Sequence, residues 1–260
     1  MITACDAARY AKEGYLILPA ALDEARLTQI ADRVEALSRD HHPGHVLEKH
    51  AQTFRAMHGC HLYDDMFREL ILWSMFVRVA EQLLGDKVYL HQLKINLKQA
   101  FCGESWPWHQ DFIYWRNEDL IPRDNMISAM IYLDDVTDFN GPLFFIPQSH
   151  TAGCIESGAS ADSPDGWAGN VSANLTYQVD HQTVTALAQR YGMVNTKGPR
   201  GTVVWFHGNL VHASPENISP FPRRLAILTY NAVSNRPTRF KETPRPDFLF
   251  GRAMDALEAI

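Results

Sequence analysis

A chain of 260 residues, 46% hydrophobic and 21% charged, carries enough apolar material for one large buried core and has no composition that argues disorder. The net charge of −6 and the lack of any long basic run argue against nucleic acid or an anionic membrane surface as partner. No stretch reaches the roughly 18 apolar residues of a membrane span, the N-terminus lacks a signal-peptide plan, and Cys5, Cys60, Cys102 and Cys154 form no CxxC pair, so a cytoplasmic protein with free thiols is expected.

The first quarter reads as helical. Ala4 to Glu13 is one segment, Asp23 to Ser38 a second with Leu27, Ile30, Ala31, Val34 and Leu37 at helical spacing, and Met66 to Leu84 a third with Gly85 as its stop. Between them His41 to Ala56 is polar and His-rich and reads as a mobile loop. From Val88 the pattern changes to short strands broken by Gly, Pro and Asn: Val88–Gln99, Met126–Leu133, Leu143–Ile146, Gly201–Phe206 and Leu225–Val233. Such a run predicts a mainly β sandwich or barrel with helices packed outside it. Thr151 to Lys197 is a long connection with a helical piece near Thr183 to Tyr191, of the kind that carries function. The whole chain, 1–260, reads as a single domain: a helical part over about 1–86, a β core over about 87–235, and a tail from 236 that packs or caps and is briefly helical.

Chemistry enters at Trp106-Pro107-Trp108-His109-Gln110-Asp111. On an extended strand residues two apart share a face, so His109 and Asp111 can converge on one ion, and one further His completes a two-His, one-carboxylate triad with open positions on iron. His150, His181, His207 and His212 are candidates for that third ligand. His212 is favoured because it follows a strand and because Arg223, eleven positions on, opens the next one. A guanidinium fork there suits the distal carboxylate of 2-oxoglutarate. His207 reads as a strand-end neighbour and His150 as a turn residue.

Strand parity extends the site. In Val88–Gln99 the even positions Val88, Leu90, Gln92, Lys94, Asn96 and Lys98 oppose the odd positions Tyr89, His91, Leu93, Ile95 and Leu97, which gives either a solvated face or a polar lumen. Arg223, Ile227 and Asn231 share a face of their strand. Ser128 and Met130 are lining candidates from theirs, as are Phe206 and, as an aromatic wall four residues after Asp111, Trp115.

These residues resemble the phytanoyl-CoA dioxygenase family. WHQDFIYW, NGPLFFIPQSH and HASPENISPFPRR are similar, in order, to its HxD segment, its Asn-Gly-Pro turn and its His-to-Arg segment, and HQLKINLK, EDLIP and YNAVSN extend the likeness over about 85–246. The nearest branch is ectoine hydroxylase. The resemblance implies a double-stranded β-helix core of jelly-roll, cupin-like type, with Fe(II) at His109, Asp111 and His212. It implies 2-oxoglutarate held by Arg223 with Ser214, Asn96, Lys98 and Ser128 nearby, O2 as second co-substrate, and Gln92, Trp115 and Phe206 facing the substrate.

Two positions depart from the ectoine pattern: Lys94 stands where arginine is expected, and Ile227 where an aromatic residue is expected. The HxD segment lacks the serine and threonine of that branch, and the N-terminal part is shorter. Replacing a planar fork by a point charge and an aromatic wall by an aliphatic one changes which ligand fits. A sister hydroxylation is therefore expected, on a free amino acid or cyclic amino-acid derivative, by a monomer or homodimer. The carboxylate at Asp111 fills a position that Ala or Gly would leave to a halide, which favours hydroxylation over halogenation. Desaturation or cyclisation, a non-catalytic metal-binding jelly-roll, and a zinc hydrolase with the same ligands are the alternatives at this stage.

Overall fold

The computed structural model describes residues 1–48, 53–158 and 160–260. Helix α1 (Ala4–Glu13) begins with a Thr3 capping box and ends at Gly14, which adopts φ +81°. Strand β1 (Tyr15–Leu18) leads to helix α2 (Glu24–Leu37), capped by Asp23. Strands β2 (His45–Leu47) and β3 (Phe54–His58) follow as an antiparallel pair. They occupy the segment expected to be a loop, of which residues 49–52 lie outside the described residues. A strand of three to five residues has too short a period to stand out in sequence; its partners in the sheet make it a strand.

The expected helix Met66 to Leu84 is two helices, α3 (Asp65–Leu70) and α4 (Ser74–Leu84), because Trp73 takes a non-helical φ/ψ of −56°/128° between them. Then come β4 (Val88–Lys98), β5 (Trp106–His109), α5 (Phe112–Asp119), β6 (Met126–Tyr132) and β7 (Phe144–Phe145). The long connection carries α6 (His181–Tyr191), capped by Asp180, before β8 (Val194–Asn195), β9 (Val203–His207), β10 (His212–Ser214) and β11 (Arg223–Ala232) complete the sheets. The tail forms no helix after residue 235. It runs back over the sheet, donating Gly251 N to His91 O and Leu257 N to Val88 O.

The strands form a seven-stranded sheet, β1-β9-β6-β11-β4-β3-β2, and a four-stranded sheet, β5-β10-β7-β8. All neighbours are antiparallel, as in a double-stranded β-helix. Alternation sorts the side chains of the large sheet. Ile127, Ala129 and Ile131 of β6, Val203 and Trp205 of β9, and Ala226, Leu228 and Tyr230 of β11 form the outer core with Leu27, Ile30, Val34 and Leu37 of α2. Met130, Tyr132, Val204, Phe206, Leu225 and Ile227 instead face between the sheets, where Phe145 meets them.

Strand β4 obeys this alternation only in part. Leu93, Ile95 and Leu97 lie in the outer core, but so do Val88 and Leu90. The register with β11 slips there: Thr229 pairs with Gln92 and the next residue, Tyr230, with Leu90. A bulge at His91 adds one residue and exchanges the faces of everything before it. The polar inward row is therefore Gln92, Lys94, Asn96 and Lys98, while Val88 and Leu90, expected on that row, face the helices.

Candidate functional site

His109 ends β5 and His212 opens β10, and the two are register partners on neighbouring strands. Their ring centroids are 4.1 Å apart. Each ring is oriented by its own backbone: Nδ1 of His109 lies 2.7 Å from Pro107 O and Nδ1 of His212 lies 2.9 Å from Leu210 O. A carbonyl only accepts, so both Nδ1 atoms carry the proton and both Nε2 lone pairs are left for another partner. Burial, then the adjacent His212, pushes His109 down to about 3; burial also lowers His212. Both are held in the neutral form that binds metal.

Asp111 reaches the same point by a different backbone route from the one expected. The strand stops at His109, and Asp111 sits in the helical region (φ −69°, ψ −37°) at the start of α5. Its carboxylate thus lies at a helix N-terminus, where negative charge is favoured. Burial pushes its pKa up, but Lys94, His212 and His109 together outweigh that and leave it lowered. Lys94 Nζ stands 3.5 Å from Oδ1 and His109 Nε2 stands 3.9 Å from it, while Oδ2 is buried without a hydrogen-bond partner. One donor atom from each of His109, Asp111 and His212 lies within 4.8 Å of the others. Two free imidazole nitrogens and an unpaired carboxylate oxygen directed at one place suit a divalent cation.

Gln110, between the two candidate ligands, is held by hydrogen bonds that the motif did not reveal. Its Nε2 donates to Gly153 O at 2.9 Å and Asn209 O at 2.6 Å, and its Oε1 accepts from Ile155 N at 2.7 Å. These bonds tie the HxD turn to the loop preceding His212. His207, the rival ligand, turns elsewhere: its Nδ1 accepts from Asn209 N at 3.0 Å and its ring packs on His150.

A cavity of about 730 Å³, mouth included, opens over His109, Asp111 and His212. At one end lies Arg223, 1% exposed, with Nε and Nη2 lacking any partner. Burial pulls it down to about 10, so it keeps its charge at neutral pH. Asn96, whose Oδ1 is also unpaired, and Ser214 share the lining with it. Ser214 Oγ is already donated to Gly141 O at 2.9 Å. Gln92, Lys94, Trp115, Phe206 and Ile227 line the rest.

Four expected residues lie elsewhere, and one of them, Met130, packs in the apolar core between the sheets. Lys98 is not in the lining, because its Nζ is donated to the carbonyls of Pro215 and Ser214. Burial, then Arg223 and Arg55, pulls it down to about 6, which leaves Arg223 the charged group at this end. Ser128 is fully buried behind the cavity, its Oγ 3.0 Å from Thr229 Oγ1. Asn231 faces inward, as parity predicts, but lies four residues beyond Ile227, where its Nδ2 donates to Tyr89 Oη at 2.8 Å and its Oδ1 accepts from Asn235.

The lining also contains residues that sequence reasoning passed over. His58 comes from β3 and Asn170 and Leu175 from the long connection, while Arg245 is supplied by the tail. Arg245 Nε donates to Asp119 Oδ1 at 2.8 Å, its Nη2 donates to Oδ2, and His91 Nε2 lies 3.1 Å from that same oxygen. The buried bulge residue and the end of α5 thereby hold a tail cation at the cavity.

A family model described as phytanoyl-CoA dioxygenase matches residues 10–225. The chain belongs to the phytanoyl-CoA dioxygenase family. Among family members, an L-proline trans-4-hydroxylase of Streptomyces griseoviridis is 41% identical over 246 residues, 94% of this chain and 91% of the relative. An ectoine dioxygenase of Sphingopyxis alaskensis is 36% identical over 265 residues, 98% and 85% of the two chains. The crystal structure of EctD from S. alaskensis with 2-oxoglutarate and 5-hydroxyectoine superposes with a TM-score of 0.85 at 33% identity, over 100% of this chain and 87% of that one. This family member is accordingly an Fe(II)- and 2-oxoglutarate-dependent dioxygenase that uses O2 to hydroxylate an unactivated C–H of a small polar substrate, and its core is the expected double-stranded β-helix.

Proposed function

We propose that the enzyme hydroxylates a ring carbon of L-proline or a closely related cyclic α-amino acid, with iron held by His109, Asp111 and His212. One observation carries the substrate: a relative 41% identical over 94% of the chain is an L-proline hydroxylase, while the cavity departs from the ectoine pattern at Lys94 and Ile227. Bound at the triad, iron with 2-oxoglutarate and O2 supplies an oxidant able to break an unactivated C–H bond, releasing succinate and CO2. The two imidazoles and the carboxylate would hold the metal on one side and leave it open to the co-substrates on the other. Arg223 takes the distal carboxylate of 2-oxoglutarate through Nε and Nη2, with Asn96 and Ser214 beside it.

Substrate occupies the other half of the cavity. Phe206, Ile227 and Trp115 face the carbon skeleton and exclude water, and Gln92, Lys94 and Arg245 face its charged groups. Fixing one C–H toward the metal determines which carbon reacts. The whole chain acts as one catalytic domain, since the tail contributes Arg245. No described helix is long and apolar enough to cross a membrane, and all four cysteines are free thiols; we take the enzyme to act in the cytoplasm, and the net charge of −6 argues against nucleic acid as its substrate.

The decisive experiment is anaerobic purification with Fe(II), followed by turnover of L-proline and ectoine with 2-oxoglutarate. Hydroxyproline formed one for one with succinate is expected. Faster turnover of ectoine would return the enzyme to that branch.

A further inference from the structure

His58 ends β3 directly opposite Lys94 of β4. It is 2% exposed, it lines the cavity over the triad, and neither of its ring nitrogens has a hydrogen-bond partner. Burial, then Lys94, Arg245 and His45, lowers it to about 3, so the ring is neutral and presents one N–H donor and one acceptor. A polar group left dry and unpaired is costly, and native proteins rarely tolerate that without an occupant.

The neighbours indicate which occupant. Lys98 pairs with Arg223 across β4 and β11, so the inward row Asn96, Lys94, Gln92 leads away from the 2-oxoglutarate end. His58 flanks Lys94 on this row, beyond Asn96. The charged groups that bear on it from the packed elements are Lys94 of β4 and Arg245 of the tail, both cationic, while His45 of β2 is lowered by burial and stays neutral. Their field favours an anion, and the tail cation Arg245 is held in place there by Asp119.

We propose that His58 is a specificity-determining residue whose ring N–H donates to the carboxylate of the amino-acid substrate, alongside Arg245. This rests on the amino-acid reading of the site. It gives the cavity a means of selecting free carboxylic acids over their amides or esters: these still offer a carbonyl oxygen to the ring N–H, but they lack the negative charge that strengthens the bond and that Lys94 and Arg245 favour.

The test uses the iron-loaded enzyme with whichever of L-proline and ectoine the unmodified protein turns over. In His58→Leu the KM for that substrate rises about 10- to 100-fold, while the KM for 2-oxoglutarate stays within about twofold; His58→Gln, which retains an N–H donor, recovers part of the loss. With L-proline as substrate, the preference over L-prolinamide shrinks, by less than the rise in KM because the amide carbonyl also loses the ring N–H. Because leucine removes an unpaired polar group, the ligand-free variant melts no lower than wild type, which a structural role for His58 would not allow. An unchanged substrate KM, or a KM for 2-oxoglutarate that rises in parallel, overturns the proposal. Turnover of ectoine but not L-proline overturns only the proline assignment, since both molecules carry a carboxylate. Turnover of neither removes the amino-acid reading and the role of His58 with it.

Discussion

Replacing Arg223 by leucine isolates the contribution of the co-substrate's distal carboxylate. The guanidinium is 1% exposed, remains charged, and has two nitrogens without partners, so the ligand-free enzyme carries a buried and largely uncompensated cation. A carboxylate docked against Nε and Nη2 replaces the missing hydration with two parallel charge-assisted bonds. Removing one partner of such a buried pair costs about 3–5 kcal/mol. At about 1.4 kcal/mol per decade, the 2-oxoglutarate requirement rises roughly 100- to 4000-fold. Folding stability moves the other way, because leucine removes a desolvated charge rather than a contact. The assay is succinate release against 2-oxoglutarate concentration at saturating substrate, with thermal melts in the presence and absence of 2-oxoglutarate. Wild type is stabilised by the co-substrate and the variant is not. A requirement within threefold of wild type, or a ligand-free variant that melts well below it, refutes the assignment.

Three further outcomes are expected. His212→Ala abolishes iron-dependent turnover and lowers Fe(II) affinity in an equilibrium titration, whereas His207→Ala, whose ring bonds Asn209 N outside the cavity, keeps appreciable activity; the reverse pattern defeats the ligand assignment. Lys94→Arg with Ile227→Phe moves the kcat/KM ratio toward ectoine by about tenfold or more, as a reshaped wall of this size allows, and an unmoved ratio removes these two positions from specificity. Stability falls on acidification. His58 and His207 are pushed by burial to about 3 and about 4, whereas the unfolded chain takes up these protons near 6.5. Below that pH the unfolded state binds more protons, so each imidazole costs roughly 2 kcal/mol of stability by pH 5. Denaturant melts at pH 7 and pH 5 check this, and His207→Gln narrows the difference between them.

Much of the site was legible in the chain because its parts are local. His109 and Asp111 are two residues apart, and His212 and Arg223 bracket one turn between strands, so spacing and strand parity brought them together before any contact was known. Parity put Gln92, Lys94 and Asn96 on one face of their strand and Ile227 on the face of Arg223, and the family resemblance turned those faces, with Phe206, inward. The reason given for the HxD pair was incomplete, however: Asp111 converges from the first turn of a helix rather than from the strand. Parity also failed where the backbone gained a residue, since the bulge at His91 turned Val88 and Leu90 toward the helices.

What only the tertiary structure decided concerns residues distant in sequence. His58 sat in a stretch with too few strand residues to show a period, and it becomes a cavity residue only because β3 adds to the edge of β4. Arg245 belongs to a tail whose Pro and Arg content reads as packing, and it reaches the cavity because buried Asp119 holds it. Asn231 and Ser128 have the inward parity but spend their polar atoms on Tyr89, Asn235 and Thr229. Periodicity states which face a side chain takes. How far along the strand the cavity extends, and which hydrogen bonds are already made, depends on the chain segments packed across it. The cluster of His109, Asp111 and His212 and the buried arginine beside it could thus be read from sequence, while the residues proposed to choose the substrate are assembled by the fold.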